Sequence, residues 1–181
     1  MPQSTLAGHP LHPMLVVAPA ALLPFGFIMD AMHQASGKQS YADAAYYSLM
    51  GGLLGGLAAG TAGAMDYMTI ARGTEIKRTA NVHALLNTGA LVVTAANVAA
   101  RRRSPGHQGG SLWLSALAAA GVMISGWFGG RLVYEQGLRV QGINPLAGAK
   151  EIKVPADDEM EHLFHHLEKA MPTNSPGPAL H

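Results

Sequence analysis

Three stretches of this chain, residues 44–65, 79–100 and 110–130, contain no Asp, Glu, Lys or Arg. Each runs to about 20 residues, the length an α-helix needs to cross the hydrocarbon core of a bilayer. A fourth apolar run, residues 13–32, holds a single charge, Asp30. Charged residues make up 13% of the chain, against about 25% in soluble domains. Length alone does not force a membrane reading, since 181 residues can bury a core; the placing of the charges does. Mean hydropathy is only +0.16 because Ala and Gly dominate the apolar runs and the C-terminal tail is polar. The expected fold is all-α: a four-helix transmembrane bundle over residues 1–138, then a polar tail, 139–181, containing one short amphipathic helix.

Composition closes several functional classes. The chain has no cysteine, which removes disulfides, thiolate zinc sites, iron–sulfur ligation and c-type haem attachment. A net charge of +1, with no basic patch interleaved with aromatics, gives no basis for nucleic-acid binding. No Lys or Arg precedes the first apolar run, so that run reads as a retained span rather than a cleaved leader. No acyl-transfer triad, phosphate loop or paired glycosidase carboxylates are found, so no catalytic residue is assigned.

Span one, residues 13–32, opens on His9-Pro10-Leu11-His12-Pro13. Pro10 holds Gly8-His9 extended, and Pro13 suits the first turn of a helix, so a helix starts near His12 with two imidazoles at its mouth. Pro19 and Pro24 predict a kink that a membrane helix tolerates. Span two, residues 42–70, carries Gly52, Gly56 and Gly60 at four-residue spacing, a small-residue ridge for close helix contact; Asp66 lies near its end. Span three, residues 79–100, places His83, Asn87, Ala90, Thr94 and Asn97 on one face, and a polar stripe in a bilayer turns to the bundle interior. Span four, residues 111–134, repeats the ridge with Gly121, Ser125 and Gly129, and has Trp113 and Trp127 near opposite ends, as interfacial aromatics do. In the tail, Asp157 or Asp158 caps a helix whose apolar face is Met160, Leu163, Phe164 and Leu167, and Pro172 stops it. His162, His165 and His166 read as part of its solvated face, and the last ten residues read as disordered.

Four spans bring both termini to one side of the membrane. That side gathers His9 and His12, the turn after span two and the exit of span four, so Asp66, His83 and Arg131 lie at matched depth with His12. The other side holds Asp30, His33, His107 and Arg101-Arg102-Arg103, with Arg101 the expected partner of Asp30. Arg72, Lys77, Arg78, Arg131 and Arg139 on the first side, against Lys38 and the arginine triplet on the second, favour cytoplasmic termini.

The His-Pro-Leu-His-Pro opening at residues 9–13, Asp30, Asp66, Asn81-Val82-His83 and Gly126-Trp-Phe-Gly-Gly-Arg-Leu-Val-Tyr134 together resemble one bacterial membrane family, that of domain of unknown function 2231. The resemblance covers roughly residues 6–140. It implies a four-span protein of the bacterial inner membrane. Some members of that family are fused to a Rieske-type iron–sulfur domain, which implies a redox setting; this chain, without cysteine, cannot hold such a cluster, so an electron partner would be a separate protein.

An imidazole at membrane depth marks a functional site unless it is spent on a partner. The leading expectation is a haem b electron-transfer component, with His12 and His83 as axial ligands and His9, Asp66 and Arg131 in support. The same nitrogens and the Asp66 carboxylate also suit a copper, iron or zinc ion. The alternative is a non-enzymatic membrane scaffold or assembly protein in which the cluster fixes helix packing. A further one is metal-ion or proton transport through Asp66, Asp30 and the span three stripe. The lipid bilayer is the one partner all these readings share.

Overall fold

The computed structural model describes residues 5–6, 9–107, 110–138 and 157–171. The expectations for the linker before the tail helix and for the last ten residues lie outside the described residues, as does the side chain of His9. Two short strands, β1 (Thr5–Leu6) and β2 (His9–Pro10), pair antiparallel. They lead into α1 (Leu11–Leu15), α2 (Val17–Ser36), α3 (Gln39–Met68), α4 (Glu75–Arg102) and α5 (Leu112–Gly130), with α6 (Asp157–Lys169) in the tail.

The first span is α1 and α2 together, with a break at Val16. Its cause lies three residues on: Pro19 has no amide to offer the carbonyl of Leu15, and the ladder opens there. Pro24 sits inside α2 without ending it. The link to α3 is only Gly37 and Lys38; Gly37 takes a φ of 67° and donates its N–H to the His33 carbonyl at 2.8 Å, a left-handed helix end that favours glycine. Thr74 caps α4 by accepting from the Lys77 amide. Helices α3 and α4 begin at Gln39 and Glu75, several residues before the apolar runs do, because polar side chains at a span's end reach water while the backbone stays helical.

The four spans pack as a ring, α2 on α3, α3 on α4, α4 on α5 and α5 back on α2. Their surface and interior are inverted relative to a soluble bundle. Phe25, Ile28, Leu54, Leu57, Leu85, Val92, Leu117 and Met123 are all exposed, around the ring and along its length. Around a core cluster of Leu23, Tyr46, Leu49 and Val98, the interior is rich in small and polar side chains: Ala45, Ala59, Ala90, Ala118, Ser115, Ser125, Thr94 and Asn97 are buried. Exposed apolar area of that extent has lipid as its solvent, and small residues inside let membrane helices approach closely. Between spans the closest glycine approaches fall at Gly52, Gly55 and Gly56, where a Cβ would come within 2.6 Å of Leu23, Ala18 or Leu91. Gly60, the third member of the expected ridge, has nothing within 4 Å and takes no part.

The polar stripe of α4 turns inward as expected. Asn87 donates to Ser125 Oγ at 2.7 Å, and Asn97 donates to Ser115 Oγ at 2.8 Å. Ten residues separate the two asparagines, and ten the two serines in the opposite direction, which is the register of an antiparallel pair.

Candidate functional site

His12 and His83 meet at the end of the bundle that holds the N-terminus. They come from α1 and α4, at opposite corners of the ring, and their ring centroids are 6.1 Å apart with the planes at 87°. Each ring is half-buried. His12 Nδ1 lies 2.8 Å from the Ala59 carbonyl and His83 Nδ1 lies 2.9 Å from the Ser125 carbonyl. A carbonyl can only accept, so both imidazoles carry a proton on Nδ1, and Nε2 is the nitrogen left to meet another partner.

The two histidines are held by one device used twice. The accepting carbonyl belongs to a helix residue whose fourth successor is glycine: Ala59 with Gly63, and Ser125 with Gly129. The ring then lies in the space that glycine leaves. A Cβ on Gly63 would stand 2.9 Å from His12 Cε1, and one on Gly129 3.1 Å from His83 Cε1. Gly129, expected to serve helix contact, thus serves as an imidazole seat at this depth, and Gly63 does the same for His12.

The repetition extends to the other end. Asp30 follows His12 by eighteen residues, and Arg101 follows His83 by eighteen. These two also meet across the ring, Arg101 Nη2 to Asp30 Oδ2 at 2.6 Å, with side chains 3% and 6% exposed. Ser115 donates to the same carboxylate oxygen. The chain is therefore two helical hairpins, α1–α3 and α4–α5, with corresponding residues facing each other at both ends. The equal spacing was readable from the sequence, although no stretch of residues repeats closely enough to draw attention to it.

The surroundings of the two imidazoles differ. Asn87 Nδ2 lies 3.1 Å from His83 Nε2. Asp66 is buried on α3, one turn beyond Gly63. Lys77 is buried with its ammonium over the Tyr67 ring, 3.2 Å from the centroid, and donating to the Tyr67 carbonyl. Arg131 turns away from the imidazoles: it pairs with Glu135 at 2.9 Å, with Glu168 of α6, and with His165 Nδ1 at 2.9 Å. Glu168 also accepts from Thr79, one turn before His83. Sequence reasoning missed Glu168, whose carboxylate lies 89 residues from its α4 partner and follows nothing but helical spacing in the tail. It also left His165 in solvent, whereas Arg131 and Trp127 hold it.

Among the described residues no group of three or more His, Cys, Asp or Glu side chains is placed to hold a metal ion. The histidine pair thus stands as a two-nitrogen donor set, drawn from two helices and oriented by backbone carbonyls. Among curated proteins and among solved structures none matches the chain. Residues 8–142 match the family described as "Predicted membrane protein (DUF2231)". With four apolar spanning helices, the pair of proline-flanked histidines at the mouth of the first and the Gly-Gly-Arg-Leu-Val-Tyr close of the last, the chain belongs to that membrane protein family.

Proposed function

We propose that His12 and His83 are the axial ligands of a haem b in an electron-transfer protein of the bacterial inner membrane. The observation that carries this reading is the donor set itself. A bare transition-metal ion asks for four or more ligands, and the described residues offer two imidazoles with no third carboxylate or imidazole grouped beside them. A macrocycle that brings its own equatorial nitrogens asks the protein for two axial ligands, on opposite faces. Hydrogen-bonding Nδ1 to a carbonyl is how proteins fix the tautomer and aim of a ligating imidazole, and both histidines do it.

Such a group supplies one-electron chemistry. The chain's own residues do the rest. Ala59 and Ser125 set the two Nε2 lone pairs, and Gly63 and Gly129 leave room for the rings. Asp66 and His9 remain candidate supports. Arg131 already binds Glu168, so an anionic substituent of the cofactor would share it with that carboxylate.

One observation favours a second reading, in which the imidazoles serve only as pins between helices in a membrane scaffold: Asn87 already lies at His83 Nε2, so ligation requires its amide to turn toward Ser125 Oγ alone. An optical spectrum of detergent-purified protein, as isolated and after titration with hemin, separates the two. A reduced-minus-oxidised Soret shift that disappears in both His12→Ala and His83→Ala supports the haem site. Protein that stays colourless and binds no hemin sinks it and leaves the pins.

A further inference from the structure

We infer that α6 is an in-plane interfacial helix whose uncovered apolar stripe lies in the lipid beside the histidine end of the bundle. This stands apart from the cofactor reading. The inner side of α6 is accounted for by Phe164, His165 and Glu168. The Phe164 ring packs on Trp127 and Phe128 at centroid distances of 4.8 and 5.7 Å. Glu168 is 4% exposed, held by Thr79 and Arg131. Beside this docking side, Met160, Leu163 and Leu167 are 45%, 56% and 50% exposed. They fall within about 60° of one another around the helix. His162 and Lys169, both exposed, lie about 100–120° around the helix from Leu163, on the side away from Met160 and Leu167, so the uncovered apolar stripe has a polar flank.

The docking contacts fix the depth. Trp127 lies eight residues inside the end of the span Leu112–Glu135, about 12 Å at the helical rise. Thr79 lies four residues inside the start of the span Glu75–Arg102, about 6 Å by the same rise. The tail helix is therefore held alongside the first turns of α4 and the last turns of α5 rather than beyond them. An amphipathic helix in the membrane plane buries its apolar side about 5–10 Å into the headgroup boundary, which is this level. On the two helices that α6 docks against, Leu85 is 60% and Tyr134 84% exposed, so the spans at this end also present uncovered apolar side chains. Lipid is the occupant that covers both.

Because the chain has no cysteine, a single introduced thiol reports one position. Full-length protein carrying Leu163→Cys or His162→Cys, labelled with a polarity-sensitive fluorophore, is reconstituted into phosphatidylcholine–phosphatidylglycerol vesicles with and without brominated acyl chains. The expected result is quenching by brominated lipid at 163 and none at 162, with aqueous iodide giving the reverse. Iodide quenching at both positions means a water-exposed helix and overturns the inference. A label at 163 shielded from both quenchers means a protein partner, a second copy included, and overturns it as well.

Discussion

The two ends of the bundle are built on corresponding residues and do opposite things with them. At one end the hairpins present His12 and His83; at the other, eighteen residues along each, Asp30 and Arg101. Opposite charges that meet in a buried site neutralise one another, and Ser115 adds a second donor to the same carboxylate oxygen. The charges at that end are balanced by its own residues. Two neutral imidazoles cannot satisfy each other in the same way when both protons are committed to carbonyls. The like pair has no such mutual satisfaction, and at His83 the Asn87 amide takes up the remaining nitrogen.

The largest effect expected from this contrast is at the charge-paired end. Arg101→Met leaves the Asp30 carboxylate buried without its cation and should cost about 3–5 kcal/mol, whereas Asp30→Leu with Arg101→Met should recover most of that loss. Thermal unfolding of the three proteins in one detergent measures it. A double variant as unstable as the single one would show that the pair contributes packing rather than charge balance.

Next in size are the imidazole seats. Gly63→Ala drives a methyl to 2.9 Å from His12, and overpacking of this kind costs about 1–3 kcal/mol. Gly129→Ala, at 3.1 Å from His83, should cost less. Gly60→Ala meets nothing within 4 Å and should be neutral or stabilising, since alanine favours the helix by about 0.5–1 kcal/mol. The same melting assay ranks them. Equal losses at Gly60 and Gly63 would mean that helix approach, not the ring, sets the need for glycine.

Smaller again is the loss of the pins themselves. His12→Ala and His83→Ala each remove one hydrogen bond between helices, worth about 0.6–2 kcal/mol in a membrane protein. The two should lose similar amounts because the device is the same. A much larger loss at His83 would assign the difference to the Asn87 amide and the Ser125 hydroxyl, which also contact its ring.

The spans, their pairing by side, the inward stripe of α4 and the Asp30–Arg101 pair were all legible in the residues, because charge avoidance and helical period act over whole helices. What escaped was decided by atoms rather than by pattern. Gly60 and Gly63 look alike as spacing, yet one faces open space and the other an imidazole. The break at Val16 was expected only as a kink, and its position depends on which carbonyl Pro19 orphans. The tail helix showed four apolar residues on one face; only Phe164 of those packs against the aromatic rings of α5. The polar contact that anchors the helix, Glu168 on Thr79 and Arg131, has no signature in a single sequence.

Arg131 decides whether the histidine end has a charge pair of its own. It touches two carboxylates, Glu135 at 59% exposure and Glu168 at 5%. An exposed pair one helical turn apart is worth about 0.3–0.5 kcal/mol, so Glu135→Gln should leave both the melting temperature and the protease sensitivity of the tail almost unchanged. Glu168→Gln removes the buried charge that faces both Arg131 and Thr79, and it should release α6 to limited proteolysis at the same protease concentration. If the two variants behave alike, the tail merely rests on the bundle. If only Glu168→Gln frees it, Arg131 and Glu168 balance charge at the outer edge of this end as Asp30 and Arg101 do at the other.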